Sequence, residues 1–160
     1  MKRVLGTLCA HRHYRPEYVD GRNWLHVTDP ENPLRFVAAT ADLILTPPQR
    51  FPYDMVTSPS FVWPVLGPPT GDGDGARYAA AACCHDWAYE HQRWDNGTPL
   101  TRETADGILW ECLFDLNVDE WRIELMYAAV RLGGWYYWNK HKREDIHPTY
   151  GGRPGGGVYT

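Results

Sequence analysis

The chain has 160 residues, 43% of them hydrophobic, with a formal net charge of −4 and a pI near 5.9. That length suits one domain with one buried core. The charge excludes a general electrostatic footprint for nucleic acid, and no apolar run approaches the roughly 18 residues of a membrane-spanning helix.

The eight Trp and ten Tyr are a surplus that either fills a core or furnishes a surface for a partner to cover. The start "MKRVLGTLCAHRH" is short for a signal peptide, which disfavours export through a signal of its own. The basic stretches "CAHRHYRPE" and "NKHKRED" read as solvated segments, because histidine is mostly neutral at pH 7. Cys9, Cys83, Cys84 and Cys112 show no C-x-x-C spacing, and joining Cys83 to Cys84 would strain the ring, so reduced thiols are expected. A zinc site from Cys84, His85 and His91 is disfavoured, since adjacent helical residues point about 100° apart.

In chain order, residues 1 to about 75 read as strands and loops. "NWLHV", "LRFVAAT" and "DLILT" are short segments rich in β-branched and aromatic residues, and "DPENP" between the first two predicts a hairpin within a small antiparallel meander. "DMVTSPSFVWPVLGPPTGDGDG" is a long loop by its prolines and glycines, either a connector or a functional segment.

From Ala76 the period becomes helical. The alanine-rich run to His91 predicts a helix, and "DNGTP" stops it. Thr101 is placed to cap a second helix, "RETADGILWECLFDL", with Glu103 in its first turn. Asp119 can cap a third, "EWRIELMYAAVRLGGWYYWNKHKR", in which Gly133 and Gly134 imply a bend or a close crossing with another backbone. The tail "IHPTYGGRPGGGVYT" has no means of burying a face and is either disordered or ordered by a partner.

The predicted architecture is α+β, a small antiparallel β-sheet and a long loop packed on a three-helix unit. Residues 1–144 form one domain, with the β/loop part to about 75 and the helical part to 144, followed by a tail over 145–160.

On the first predicted helix Tyr78, Ala81, Ala82, His85, Ala88 and Tyr89 share one face. On the second, Asp106 lies in line with Leu109 and Leu113. A buried unpaired carboxylate costs several kcal/mol, roughly, so Asp106 needs a partner, and His85 is best placed. An Asp that accepts from one imidazole nitrogen fixes the tautomer and leaves the other as a base. Asp86 then faces the loop side. Asp54 either joins this site or caps a turn with Ser58, and Ser58 lacks the G-x-S-x-G context of a nucleophile.

Two resemblances attach to these residues. Phe51 to Asp54 (F-P-Y-D), Ser58-Pro59, "HDWAY" at His85 to Tyr89, Ala105-Asp106 and "MYAAVRLGG" at Met126 to Gly134 together resemble a family of small proteins of unknown function common in tailed phages and prophages, over roughly residues 42 to 138. The resemblance implies a phage origin and a virion or tail-region accessory role. The order of a Gly-Pro loop, an H-D-x-x-Y helix and A-D on an antiparallel helix is also similar to calcium-dependent secreted and parvoviral phospholipases. By that similarity His85 would activate water, Asp106 would orient His85, Tyr89 would support the network, and Asp86 would hold calcium with loop carbonyls, Asp54 being a further candidate ligand. Cys83 and Cys84 depart from the secreted pattern by abutting His85, and "GDGDG" is an incomplete match to a calcium loop.

Two functions are therefore expected as alternatives. One is a virion-associated interaction protein, in the particle or the host cytoplasm during assembly, whose aromatic surface and tail meet other virion or tail proteins and whose His-Asp network is structural. The other is a calcium-dependent phospholipase-like ester hydrolase acting on lipid.

Overall fold

The computed structural model describes residues 4–5, 8–12, 24–28, 31–39, 43–48, 51–53 and 74–143, with side chains described over 31–39, 43–48, 51 and 78–140. The architecture is α+β, as predicted. Six short strands are β1 (Val4–Leu5), β2 (Leu8–Arg12), β3 (Trp24–Thr28), β4 (Arg35–Val37), β5 (Ile44–Leu45) and β6 (Pro52–Tyr53). Three helices follow, α1 (Asp74–His91), α2 (Arg102–Asp115) and α3 (Glu120–Arg143).

The strands form two antiparallel sheets, ordered β1-β4-β5 and β2-β3-β6. This corrects one expectation. The strands on either side of "DPENP" are not a hairpin: β3 pairs with β2 on one side and with β6 on the other, while β4 lies in the second sheet. Both edges of β3 are thus occupied, and Pro33 lacks an amide donor and holds its predecessor extended, so the link carries the chain from one sheet to the other. The β4–β5 hairpin is present, with Phe36 opposite Leu45 and Val37 opposite Ile44.

Helix α1 owes its close packing to its alanines. Ala79, Ala81, Ala82 and Ala88 are all buried, and their small side chains let α2 approach along the helix. The helix stops where Gln92 takes a positive φ of 54°, and the chain turns through an Arg93–Pro99 bridge with Gly97 at φ 85°, a conformation glycine adopts without steric cost. Within that turn Asp95 docks the β1-β4-β5 sheet. Its amide donates to Ile44 O at 2.9 Å, and its carboxylate accepts from Thr46 N at 3.0 Å and from Thr46 Oγ1 at 2.6 Å.

Thr101 caps α2 as predicted, its hydroxyl accepting from Thr104 N at 3.1 Å. The C-terminus of α2 closes with a Schellman arrangement: Val118 N donates to Leu113 O, Asn117 N donates to Phe114 O, and Asn117 sits at φ 56°. That turn reverses the chain into α3.

The core lies between these layers. Leu34, Phe36, Leu45 and Phe51 from the strand region meet Trp87 and Trp94 from α1 and the turn behind it, with Phe36 stacked on Trp94 at 6.2 Å and Phe51 edge-on to Trp87 at 5.2 Å. Ile108, Leu109, Leu113, Ile123 and Met126 continue it between the helices. Part of the tryptophan surplus therefore fills the interior.

Candidate functional site

The site grows from two facing helical positions. His85 and Tyr89 lie one turn apart on α1, their rings 4.4 Å centre to centre, and Asp106 stands opposite them on α2. Asp106 is 0% exposed, in line with the apolar residues Leu109 and Leu113, which are buried on the same face of α2. Burial at that depth demands compensation.

Four side chains supply it. The Tyr89 hydroxyl donates a short hydrogen bond to Asp106 Oδ1. Arg131 Nη1, from α3, donates to Oδ2 at 2.8 Å, and Arg102, one turn before Asp106 on α2, places its Nη1 3.5 Å from the same oxygen. His85 Nε2 lies 3.6 Å from Oδ1, an ion-pair separation beyond hydrogen-bond reach. Nε2 has no hydrogen bond among the described residues.

The other ring nitrogen meets a second carboxylate. His85 Nδ1 is 3.4 Å from Asp86 Oδ1, and the Asp86 side chain is about a quarter exposed. The imidazole thus sits between one sealed carboxylate and one that reaches solvent. A neutral ring with its proton on Nε2, toward Asp106, would turn a lone pair at Asp86. Two acceptors then face each other at 3.4 Å, a conflict relieved by protonation or by moving the proton to Nδ1.

The electrostatics follow from this placement. Burial works against a charged His85, but Asp106 and Asp86 outweigh it and hold its pKa above the ordinary value. Burial works against an ionised Asp106, but His85, Tyr89 and Arg131 outweigh it and hold the carboxyl below its ordinary value. Burial, with Asp106 beside it, pushes the Tyr89 phenol up, so it stays a donor. Arg131 stays charged, its pKa raised by the bond to Asp106.

The glycines of α3 finish the geometry. A methyl group at Gly134 would fall on the Tyr89 hydroxyl and lie 3.1 Å from Cζ, so only a bare Cα lets the Tyr89 ring seat against this helix. Gly134 is therefore a close approach to a side chain, the Tyr89 ring, rather than the crossing with another backbone expected from "LGG", whereas a methyl at Gly133 would meet nothing within 4 Å. Trp138 meets the Tyr89 ring edge-on at 5.2 Å, and its carbonyl accepts from Gln92 Nε2 at 2.8 Å.

The structure thus brings together His85, Asp86, Tyr89 and Asp106. Asp54 lies outside the described residues, as do Ser58, the "GDG" of residues 71–73 and the tail over 145–160. Arg102 and Arg131 were missed in the sequence. Arg102 was legible as an i,i+4 partner of Asp106, whereas Arg131 depends on how α3 crosses. Cys83, Cys84 and Cys112 are free and buried, matching the expected reduced thiols. Burial, together with neighbouring groups, raises the Cys83 and Cys112 thiols, which disfavours thiolate chemistry there.

A calcium ion held by Asp86 would need further oxygens. Among the described residues no group of three or more His, Cys, Asp or Glu side chains could hold a metal, so these residues alone do not make a calcium cage. No helix among the described residues is long and apolar enough to cross a membrane.

The model of a family described as protein of unknown function (DUF1353) matches residues 31–130, the span that holds the two carboxylates, the imidazole and Tyr89, and the chain belongs to that family. No curated protein and no solved structure matches the chain.

Proposed function

Starting from a DUF1353 chain with this His-Asp arrangement, we propose that the protein is an ester hydrolase of the phospholipase type, working through His85 and Asp106. The observation that carries the reading is the two-sided setting of the imidazole, Nε2 toward buried Asp106 and Nδ1 toward part-exposed Asp86. In this mechanism neutral His85 takes a proton from water at Nδ1, and the oxygen attacks the ester carbonyl carbon. The tetrahedral intermediate then collapses, the C–O bond to the alcohol breaks, and the imidazolium returns the proton to the leaving oxygen. Asp106 stabilises the transient imidazolium through Nε2–H, and the 3.6 Å separation shortens as that charge develops. Tyr89 and Arg131 hold Asp106 in place. Calcium bound at Asp86 would supply Lewis acidity at the ester carbonyl.

The test is release of fatty acid from phospholipid vesicles by the purified chain, in calcium and in chelator, with His85→Ala as the control. The reading expects turnover that disappears in His85→Ala. Turnover equal in the two proteins, or none at high protein concentration, would overturn it.

A second reading is favoured by the saturation of Asp106. With Tyr89, Arg131 and Arg102 all on this carboxylate, the same residues suit a buried network that fixes three helices in a phage virion or tail-region protein. On that reading the protein works by contact with other virion proteins, and His85→Ala costs about 1–3 kcal/mol of stability with no activity to lose.

A further inference from the structure

The outward face of α3 carries an apolar stripe that takes no part in the Asp106 network. Trp121, Leu125, Ala128, Leu132 and Trp135 follow one another at steps of four, three, four and three residues. At about 100° per residue they share one narrow arc, opposite the face that buries Ile123, Met126 and Gly134. Leu132 is 80% exposed, Trp135 58% and Trp121 51%, and Tyr136 widens the stripe at its end. Such contiguous apolar surface marks an interaction site. A repeat of 3.5 residues is the period of a seam that meets another helix.

Charge says which helix. The start of α3 carries Glu120 and Glu124, with Asp119 before it paired to Arg122, and its end is basic in sequence, with Lys140, Lys142 and Arg143. A second α3 running antiparallel would set acidic beginning beside basic end at both ends of the contact, whereas a parallel pair would set like against like. Sizes agree with the antiparallel register centred near Val130. In it Trp121 lies across from Asn139, Leu125 from Trp135, and Ala128 from Leu132, so the small residue opposes the most exposed large one.

We propose that this face of α3 docks against the same face of a second copy of the chain, forming an isologous antiparallel two-helix seam. The seam leaves the Asp106 network untouched, because Arg131 and Gly134 reach it from other faces of α3. The interface is therefore independent of whether the protein hydrolyses esters.

The experiment is sedimentation equilibrium on the full chain, with Leu132→Glu, the pair Glu120→Lys and Glu124→Lys, and that pair combined with Lys140→Glu and Lys142→Glu. A dimer is expected for the unaltered chain. Leu132→Glu should be monomeric with an unchanged helical circular dichroism spectrum, since the side chain it replaces stands in solvent. The lysine pair should weaken the dimer at least tenfold, and the fourfold swap should restore it, which a parallel seam would not do. A chain that stays monomeric at high concentration overturns the proposal, as does a dimer indifferent to Leu132→Glu. Monomers that bind anionic phosphatidylglycerol vesicles through the stripe would also overturn it, and would assign the face to lipid instead.

Discussion

Helix α3 has two furnished faces, and among the described residues only the inner one meets a partner within the chain. The inner face delivers a guanidinium and a bare Cα: Arg131 reaches Asp106, and Gly134 receives the Tyr89 ring. The outer face delivers Trp121, Leu132 and Trp135 to solvent. The difference shows how one helix divides its work. Polar specificity sits where burial makes an unmet partner expensive, and apolar surface sits where a second molecule can remove it from water.

The most damaging change to the inner face is removal of its central carboxylate. Asp106→Ala leaves Arg131, Arg102, the Tyr89 hydroxyl and His85 without their common acceptor. Breaking a buried ion pair costs about 3–5 kcal/mol, and the lower end applies because both arginines are part-exposed and can turn to water. Urea denaturation should show a loss of about 3 kcal/mol. A loss below about 1 kcal/mol would mean that the inner face is held by its apolar contacts alone.

Gly134→Ala comes next. A methyl group here displaces the Tyr89 ring, and overpacking of this kind costs about 1–3 kcal/mol, against which alanine's better helix propensity returns up to about 1 kcal/mol. Gly133→Ala, where a methyl would meet nothing within 4 Å, keeps the propensity gain and should stabilise. Opposite signs for two adjacent, chemically identical changes, read as melting temperatures, would place the close approach at Gly134. Equal effects would remove it.

These glycines also show how far the sequence could be read. "LGG" suggested a bend or a close crossing with another backbone, but not that Gly134 would receive the Tyr89 ring, because that depends on the rotation of α3 against α1. The short link between α1 and α2, which makes them antiparallel neighbours, lets His85 face Asp106, and the helices and the Thr101 cap follow from local rules, periodicity and capping, which act within a turn or two of chain. The two-sheet topology does not. Strand pairing is chosen between segments far apart in sequence, and the turn residues of "DPENP" fit a crossing between sheets as well as a hairpin. Arg131 was hidden for the same reason. Its i,i+3 and i,i+4 neighbours give no hint of Asp106, 25 residues earlier, whereas Arg102, one turn from that carboxylate, was there to be read.

A smaller effect separates the two chemical readings of the inner face. The folded pKa of His85 is raised, so the stabilisation from its protonated form is fully present below the unfolded value of about 6.5 and is lost as pH rises through the folded value. Relative to His85→Gln, the wild type should therefore lose stability across that alkaline window. A hydrolase that needs neutral His85 gains activity over the same window, so stability and turnover should move in opposite directions with pH. At the acid end Asp106, with its lowered pKa, gives stabilisation present above about pH 4 that is lost as pH falls through its folded value. A stability difference from His85→Gln that is flat from pH 6 to 9 would remove His85 from the ionic network.

The smallest effect is expected at Tyr137, and it sharpens the comparison most. Tyr137 is 52% exposed, as open as Trp121 at 51%, and it is the same kind of residue, a large aromatic on α3. Yet at about 100° per residue it falls on the opposite side of the helix from Ala128, outside the stripe, near the end of the helix. If association depends on the helical seam, Tyr137→Ser should change neither the dimer constant nor the melting temperature beyond the scatter of surface substitutions, about 0.5 kcal/mol, while Trp121→Ser weakens the dimer. If exposed aromatics associate without regard to position, the two substitutions should weaken it equally. Position on the helix, with chemistry and exposure held nearly constant, is what this pair isolates.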